Sequence, residues 1–259
     1  MLAMDLSVVL PAFEEAANLR VILPRLKASL SALGISYEIL VVDTVAARDD
    51  TADVCADCEV RCLRRSPTDS FGDAYRSGIK VATGIHIAFM DADGSHPPEF
   101  ITKLYAEASS HDVVIASRYV RGGGTENSPI LELMSRILNV TYSIVLGVRC
   151  RDMSNSFKIY RGDRLRALDL RCDQFDVVEE IMVGFARDGH QLKIKELPFT
   201  FRRRREGRSK RNLLAFIVSY LYTLMRLRFR TRSAKVLDTA PSDQPSTEES
   251  ADSIRRSAA

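Results

Sequence analysis

The sequence predicts an α/β protein whose mostly parallel sheet carries helices on both faces. Short runs rich in β-branched residues alternate with segments of helical spacing through the first two thirds of the chain. The runs are almost continuously apolar, which is typical of parallel strands buried on both faces. The predicted strands are Leu6 to Leu10, Tyr37 to Asp43, Val60 to Arg64, His86 to Asp91 and Asp112 to Ser117. Helices are predicted between them, over residues 15–33, 50–57, 71–83 and 97–109.

The rest of the chain has a less regular pattern. Helical spacing recurs in residues 130–149 and 174–189, while Phe157 to Tyr160 and the segment KIKELPFTF are extended. A strongly apolar helix bounded by arginines is predicted from Leu213 to Phe229. Residues 233–259 are rich in Ser, Pro and acidic side chains. Because such a composition buries too little apolar surface to order itself, it predicts a disordered tail.

Basic charge is concentrated in one segment. The 259 residues are 46% hydrophobic and 27% charged with a formal net charge of +3, which is ordinary for a globular protein. Residues 202–235 alone carry twelve Arg or Lys against the single acid Glu206. Such a run suits phosphate groups or an anionic membrane surface. No nucleic-acid-binding motif or interleaved aromatic pattern accompanies it, so we do not expect nucleic acid as a partner.

The cysteines indicate a reducing compartment. Five cysteines, an odd number, occur in a chain whose first residues, MLAMDLSVVLPAF, lack the basic region of a signal peptide. Cys55, Cys58 and Cys62 form a cluster, but no suitable fourth ligand for a structural zinc follows within twenty residues. We therefore expect free thiols packed as small apolar side chains, in a cytoplasmic protein.

The apolar helix near the C-terminus is too short to cross a membrane. A spanning helix needs about 20 apolar residues, and we expect no stretch of this sequence to reach that length. In the segment 212–232, Ser, Thr and Arg side chains follow one helical stripe and leucines follow the opposite one. We expect this segment to form an amphipathic helix that lies in a membrane interface. A core helix or an oligomer-interface helix is the alternative.

The segment FMDADGSHPPEF carries the clearest chemical signal. An apolar predicted strand delivers Asp91 and Asp93 at its end, where ligands of an open α/β sheet bind. Two carboxylates on a short loop suit Mg²⁺ or Mn²⁺, particularly when diphosphate oxygens complete the coordination. An ordinary Asp-Gly turn with solvated acids is the alternative.

Separated motifs between Ser7 and Lys210 follow an order that is shared by one enzyme family. They are SVVLPAFEEAANL, YEILVVD, SFGDAYRSGIKVATG, MDADGSHPPEF, ASRYVRGG, DMSNSFKIYR, FDVVEEI and ELPFTFRRRREGRSK. In these motifs the chain resembles the family 2 glycosyltransferases, and among them the dolichol-phosphate or polyprenol-phosphate mannose synthases. The resemblance implies a GT-A fold with a catalytic domain over residues 1–211, followed by the helix 212–232 and the tail 233–259.

The resemblance also implies roles for individual residues. Nucleotide-sugar binding is implied for Pro11, Phe13, Glu15, Val42, Asp43, Thr44, Asp91, Ala92, Asp93, Arg204 and Lys210. Metal binding is implied for Asp91, Asp93 and Ser95, and catalytic roles for Asp91, Asp93, Arg118, Asp152 and Glu180. In this scheme Arg118 meets a phosphate, because a guanidinium pairs with two phosphate oxygens at once. Asp152 or Glu180 would serve as base for a hydroxyl acceptor, and Glu179 is expected to be a solvated neighbour.

Several positions depart from the family pattern. Glu14 stands where the family usually has Asn, and Thr44 stands where a second Asp is usual. Asn155 and Ser156 replace a usual Ser-Gly pair, and Lys158 replaces a usual Arg. We expect the change at Thr44 to bear on the nucleotide base, and the later changes to bear on the donor sugar or the acceptor.

The resemblance implies transfer of a sugar, with inversion, from a nucleotide-diphosphate sugar to a polyprenyl phosphate. The expected donor is GDP-mannose and the expected cofactor is Mg²⁺ or Mn²⁺. We expect a peripheral enzyme at the cytoplasmic face of a membrane, brought there by residues 212–232 or by a membrane-anchoring partner subunit. The same fold with a UDP-sugar donor and a saccharide or small-molecule acceptor is the enzyme alternative. A non-catalytic nucleotide-sugar-binding scaffold is the alternative outside enzymes.

Overall fold

A computed structural model describes residues 4–202 and 222–229 of the chain. These residues belong to one unit that ends at Phe229. Arg204, Lys210, the predicted tail 233–259 and most of the predicted helix 212–232 lie outside the described residues.

Strands and helices alternate along the chain. The strands are β1 Leu6–Pro11, β2 Tyr37–Asp43, β3 Arg61–Arg64, β4 His86–Phe89, β5 Val113–Ser117, β6 Gly124–Thr125, β7 Lys158–Arg161, β8 Ile194–Pro198 and β9 Thr200–Phe201. The helices are α1 Ala16–Ser31, α2 Thr51–Asp57, α3 Phe71–Val81, α4 Ile101–Ala106, α5 Pro129–Leu146, α6 Gly162–Arg166 and α7 Val177–Arg187. Residues 222–229 form a further helix, α8.

The central sheet confirms the predicted class. Its seven strands follow the order β3-β2-β1-β4-β7-β5-β8, and every pairing is parallel except those of β7, which runs antiparallel to β4 and β5. Side chains alternate between two buried cores: Val8 and Leu10 of β1 pack with α1, while Val9 packs with α3 on the other face. Because both faces are covered by helices, the strands are apolar throughout, as the sequence indicated.

Two predicted elements are interrupted. The strand predicted from His86 to Asp91 ends at Phe89, so Asp91 lies in the following loop. The extended segment 193–201 divides between β8 of the central sheet and β9, which pairs with β6 in a separate two-stranded sheet. Pro198 has no N–H to donate to a ladder, and Phe199 instead donates its N–H to the Ser117 carbonyl at 3.0 Å.

Helix α5 differs from the sequence prediction in one respect that bears on membranes. It begins with a proline in its first turn and ends at Leu146, three residues before the predicted end at residue 149, because Gly147 with a φ of 71° caps it. Among the described residues it is the one helix long and apolar enough to cross a membrane, judged by length and composition alone. The expectation that no stretch reaches that length was therefore wrong.

Helix α8 corrects part of the interfacial-helix prediction. Leu224, placed by the sequence on the lipid-facing stripe, is buried in the domain core together with Leu227. Thr223, placed on the polar stripe, is also buried and donates to the Asp176 carboxylate at 3.0 Å. For residues 222–229 the structure thus favours the alternative of a helix packed on the domain. The apolar side chains that remain exposed in this helix are Tyr222, Met225 and Phe229.

Candidate active site

The polar loops after β1, β2, β4 and β5 gather at one edge of the sheet. Parallel strands place their carboxyl ends together, which is where open α/β sheets bind ligands. Pro11 ends β1 and pairs with Val42 of β2, so the first two predicted nucleotide-binding segments are neighbours. The main-chain N–H of Ala12 also donates to the Val42 carbonyl at 3.0 Å.

The loop after β1 presents an aromatic surface. Phe13 is 46% exposed, and the guanidinium of Arg48 lies 4.9 Å from its ring centroid. Glu14 adopts a φ of 57°, which turns the chain sharply before α1, and Glu15 accepts a hydrogen bond from Asn18 Nδ2 at 2.6 Å. An exposed ring at the sheet edge is a surface on which a nucleotide base can stack. Sequence reasoning identified Phe13 and missed Arg48.

Asp43 is buried at the end of β2 and is held on both oxygens. Arg64 pairs with its Oδ2 at 2.5 Å, and the Thr44 main-chain N–H donates to Oδ1 at 2.7 Å. The Thr44 hydroxyl donates to the Ala46 carbonyl at 2.6 Å and also lies 3.3 Å from Asp43 Oδ1. The Val42 side chain lies fully buried in the core beneath α3, so only its backbone reaches the predicted nucleotide pocket.

Arg65 connects the first two loops and was missed by sequence reasoning. Its buried guanidinium donates to the carbonyl of Ala12 and to those of Val42 and Asp43, the latter two at 3.2 and 3.1 Å. Burial lowers the pKa of this guanidinium, yet an arginine remains charged in proteins. The Arg65 guanidinium therefore fixes the relative position of the carboxyl ends of β1 and β2.

The Asp91–Ser95 loop holds the predicted carboxylates in different environments. Asp91 is partly exposed and accepts a hydrogen bond from the Ser156 hydroxyl at 2.9 Å. Asp93 is buried, and its Oδ1 accepts from the main-chain N–H and the hydroxyl of Ser95 at 3.0 and 2.5 Å. Ser95 thus positions Asp93 by hydrogen bonding.

His96 supports this loop and is absent from the predicted set. It is fully buried and stacks on Phe157, with ring centroids 4.8 Å apart. The Asp91 main-chain N–H donates to His96 Nδ1 at 3.0 Å, so the neutral ring carries its proton on Nε2, which lies 3.8 Å from Asp91 Oδ2. Burial lowers the pKa of His96 and favours this neutral form.

The side-chain oxygens of this loop can hold a divalent cation only if phosphate or water supplies further ligands. No cluster of three or more His, Cys, Asp or Glu side chains able to hold a metal occurs within residues 4–202 and 222–229. Asp91 and Asp93 supply hard carboxylate oxygens, which suit Mg²⁺ or Mn²⁺ when phosphate and water complete the coordination. The residues that could hold such a cation are therefore these two aspartates.

Arg118 and Asp152 form a buried bidentate ion pair. Arg118 Nε and Nη2 donate to the two Asp152 oxygens at 2.8 and 2.7 Å, and the Arg118 main-chain N–H donates to the same carboxylate at 2.8 Å. Arg118 Nη2 also reaches the Ser154 hydroxyl at 3.0 Å. The Asp152 carboxylate is fully buried and accepts three hydrogen bonds from Arg118, so the geometry assigns Asp152 to positioning Arg118.

Glu196 of β8 fixes the loop that carries Asp152. Its carboxylate accepts from the main-chain N–H groups of Arg151 and Asp152 at 2.9 and 3.0 Å, and from the Ser117 hydroxyl at 2.8 Å. One side chain on an edge strand thereby joins the end of β5 to the loop before β7. No sequence signal pointed to this role, because Glu196 falls within an extended segment.

Lys158 and Glu179 lie beneath the site in the protein interior. Lys158 Nζ is fully buried and donates to the carbonyls of Met153 and Asn155, the first at 2.8 Å. Burial lowers the Lys158 pKa to about 8 and raises the Glu179 pKa to about 8. The expectation that Glu179 is solvated was wrong, since it is 1% exposed and one of its oxygens has no hydrogen-bond partner among the described residues.

Glu180 holds a neighbouring loop. Its carboxylate accepts from the main-chain N–H groups of Arg171 and Cys172 at distances between 2.8 and 3.0 Å. That loop packs on Gly72, where an added Cβ would lie 1.9 Å from the Cys172 carbonyl oxygen. The structure therefore gives Glu180, one of the two predicted bases, a structural task in holding this loop.

Comparisons with known proteins identify relatives of this chain. A family model described as Glycosyl transferase family 2 matches residues 7–168. The chain is 32% identical to a dolichol-phosphate mannosyltransferase of Pyrococcus furiosus over 86% of its own length and 64% of that protein. It is 34% identical to an undecaprenyl-phosphate mannosyltransferase of Micrococcus luteus over 78% of its length and 85% of that protein. The chain thus spans just under two thirds of the Pyrococcus furiosus relative.

Solved structures show the same fold at low identity. A glucosyl-3-phosphoglycerate synthase of Mycobacterium tuberculosis, crystallised with Mn²⁺, UDP and its product, is 20% identical with a TM-score of 0.65. The match covers 89% of this chain and 82% of the synthase. The same synthase crystallised with Mg²⁺ and UDP gives an equal TM-score. The expected GT-A fold is confirmed, and structural neighbours of this chain bind divalent metals.

Proposed function

Because the chain belongs to glycosyl transferase family 2, we propose that it transfers mannose from GDP-mannose to a polyprenyl phosphate, with inversion at the sugar. The two relatives described above are named as mannosyltransferases of dolichol phosphate and undecaprenyl phosphate. The enzyme would work at the cytoplasmic face of a membrane. No disulfide joins any of the five cysteines, all of which lie among the described residues, in keeping with a reducing compartment.

One structural observation carries the proposal. The segment 152–156 contacts both charged parts of the site: Ser156 donates to Asp91 at 2.9 Å, while Asp152 and Ser154 bind Arg118. The carboxylate pair and the buried arginine therefore belong to one connected arrangement. Such an arrangement suits two phosphate-bearing substrates that meet between a cation-binding loop and a guanidinium.

On the donor side, Phe13 with Arg48 would support the base, and Asp91 with Asp93 would hold Mg²⁺ or Mn²⁺ against the diphosphate. A divalent cation there supplies charge stabilisation for the departing nucleotide diphosphate. His96 and Ser95 keep the two aspartates in place. Arg204 and Lys210 are proposed to contact the diphosphate, as the motif RRRREGRSK implies.

On the acceptor side, the geometry favours a phosphate over a hydroxyl. A hydroxyl acceptor needs a general base, and the two predicted bases, Asp152 and Glu180, are both committed to hydrogen bonds. A phosphate is already an anion at neutral pH and needs positioning alone. Arg118 is oriented by Asp152 to provide that positioning.

The test is transfer of label into lipid. The full chain is incubated with Mg²⁺ or Mn²⁺, a panel of radiolabelled GDP- and UDP-sugars and a polyprenyl phosphate, and label is counted in the organic phase. We expect transfer from GDP-mannose that chelation abolishes and that Asp91→Asn and Asp93→Asn each reduce at least about a hundredfold. Asp57→Asn, on the exposed end of α2, is the matched control.

Outcomes separate the alternatives. Transfer from a UDP-sugar in place of GDP-mannose would replace the donor in this proposal. Wild-type counts no higher than those of Asp91→Asn with every donor would overturn the synthase activity and favour a non-catalytic nucleotide-sugar-binding scaffold.

A further inference from the structure

Strand β7 enters the central sheet between the two strands that lead into the site. Its first residue, Lys158, pairs with Phe89 of β4 on one side and with Ile115 of β5 on the other. The loop that carries Asp91 follows β4, and Arg118 follows β5. Because β7 runs antiparallel to both neighbours, the chain that enters it crosses the carboxyl edge of the sheet between these two groups.

The segment that crosses this edge divides its side chains between the two groups. Asp152 and Ser154 bind Arg118, whereas Ser156 donates to Asp91 Oδ1 at 2.9 Å. One short stretch of chain therefore joins the guanidinium to the proposed cation ligand. The bend of this stretch decides whether both sets of contacts can be made at once.

The same stretch turns two of its carbonyl groups onto one buried ammonium. Lys158 is fully buried, and its Nζ donates to the Met153 carbonyl at 2.8 Å and to the Asn155 carbonyl. A buried ammonium needs such acceptors, because a buried charge without hydrogen bonds is costly. The residues that supply them alternate with Ser154 and Ser156. The carbonyls that bind Lys158 and the hydroxyls that bind the two sides of the site are therefore fixed together.

The charge of Lys158 lies in the same buried region as the Arg118–Asp152 ion pair. The ionisable groups that interact with this ammonium are Arg118, Asp152, Glu179 and Cys150, each at most 9% exposed. Charges act strongly on one another in an interior of low dielectric constant. Removing the Lys158 charge would therefore change the electrostatic surroundings of the ion pair as well as the bend of the segment.

We propose that Lys158 is a positioning residue that couples the two sides of the site, because its ammonium holds one segment against both Arg118 and Asp91. Lys158 is buried away from the substrates and acts through the residues 152–156. The proposal rests on the proposed function for what the two sides bind, an acceptor phosphate and a divalent cation. The coupling itself is a property of this chain and can be measured without turnover.

The test measures both sides of the site in the full chain after Lys158→Met, which removes the charge and both hydrogen bonds. Electron paramagnetic resonance of free Mn²⁺ in the presence of GDP gives the Mn²⁺ affinity, and transfer assays give the KM for a short polyprenyl phosphate. We expect Lys158→Met to weaken Mn²⁺ binding and to raise the acceptor KM, each by about tenfold or more. Lys80→Met, at an exposed lysine of α3, is the matched control.

Variants on one side of the segment show whether the effect is a coupling. Ser156→Ala should weaken Mn²⁺ binding alone, and Ser154→Ala should raise the acceptor KM alone, because each hydroxyl contacts one side. Adding Ser156→Ala to Lys158→Met should weaken Mn²⁺ binding little further, since the contact is already lost. Lys158→Arg keeps a buried cation with several donors and should recover most of both losses.

Other results would overturn the proposal. A change in one of the two quantities alone, or values equal to those of Lys80→Met, would show that Lys158 does not couple the two sides. A lower melting temperature with both quantities unchanged would make Lys158 a stabilising core residue only. A circular dichroism spectrum like that of wild type shows that Lys158→Met folds. If it does not, Lys158→Gln, which is uncharged but polar, should show the same two losses.

The Mn²⁺ measurement separates this proposal from the proposed function. If wild type transfers no sugar to any polyprenyl phosphate, the proposed function fails and Mn²⁺ binding alone decides the role of Lys158. Weaker binding in Lys158→Met than in Lys80→Met would then support the positioning role, and equal binding would overturn it. Absence of Mn²⁺ binding to wild type would overturn both proposals.

Discussion

The main-chain N–H of Asp91 donates to Nδ1 of His96 at 3.0 Å, and the other nitrogen of the same ring lies 3.8 Å from the Asp91 carboxylate. One buried ring thus positions the backbone of a proposed cation ligand by a hydrogen bond and lies beside its carboxylate. Outer groups of this kind are commonly worth 10 to 100-fold in metal affinity or activity.

His96→Ala should therefore raise the Mn²⁺ concentration needed for half-maximal activity and lower kcat/KM by about 10 to 100-fold. Loss of the ring also leaves the Asp91 N–H without its acceptor. The measurement is a metal titration of activity at saturating donor, with His190→Ala, an exposed histidine, as control. A metal titration curve that coincides with that of wild type would contradict this role for His96.

The Arg118–Asp152 pair should behave as a buried ion pair in stability measurements. Asp152→Leu or Arg118→Met alone leaves a buried charge unpaired, which costs about 3–5 kcal/mol in unfolding free energy. The double variant should recover much of this loss, because both charges are removed together. Urea unfolding of the three variants measures the coupling. Additive losses would show that the two side chains do not act as a pair.

Glu179 should make stability depend on pH. Burial raises the pKa of Glu179 from its ordinary value of 4.5 to about 8. Between these values the folded protein holds the extra proton, so its unfolding free energy falls as pH rises. The glutamine of Glu179→Gln cannot titrate. We therefore expect the unfolding free energy of this variant to rise by on the order of 2 kcal/mol relative to that of wild type as the pH goes from 5 to 8.

Chemical unfolding at several pH values checks this, with the exposed Glu59→Gln as control. The relative stability of Glu179→Gln is predicted to increase with pH, and a difference from wild type that stays constant across the range would refute the buried, proton-holding state of Glu179.

Gly72→Ala should disturb the loop that Glu180 holds. The added methyl group meets the Cys172 carbonyl oxygen at 1.9 Å, so the loop or the helix must move. We expect a loss of about 1–3 kcal/mol in unfolding free energy. Gly124→Ala, whose methyl group would meet only the Thr200 hydroxyl at 3.9 Å, is the matched control. Equal melting temperatures for the two variants would rule out this close approach.

The sequence predicted the elements whose signal is local. Runs such as Leu6 to Leu10 are apolar because both sheet faces are covered, so their class and order follow from composition. Because ligands of an open α/β sheet bind at the carboxyl ends of its strands, the sequence also placed Phe13 and Asp91 at the correct edge. The break after Pro198 was missed because it depends on a long-range hydrogen bond from Phe199 to Ser117.

Buried polar residues could not be predicted in the same way. Arg65, His96 and Glu179 lie in segments that look solvent-facing, and their burial depends on partners far along the chain. Asp152 and Glu180 were identified as acids in functional motifs, but the donors that occupy them come from other loops. Residue type indicates what a side chain can do, whereas three-dimensional packing decides whether it is available.

The hydrogen bonds of Glu196 make the position of the Asp152 loop depend on strand β8. Glu196 lies on β8, which in the described structure pairs with β5 alone within the central sheet, and alternate residues of a strand face opposite sides. A slip of β8 by one residue would turn this carboxylate to the other face of the sheet. The Asp152 loop would then lose its anchor without any change in a proposed catalytic residue. The register of the outer strand β8 therefore governs the position of the Asp152 loop and of the Arg118 side chain that this loop holds.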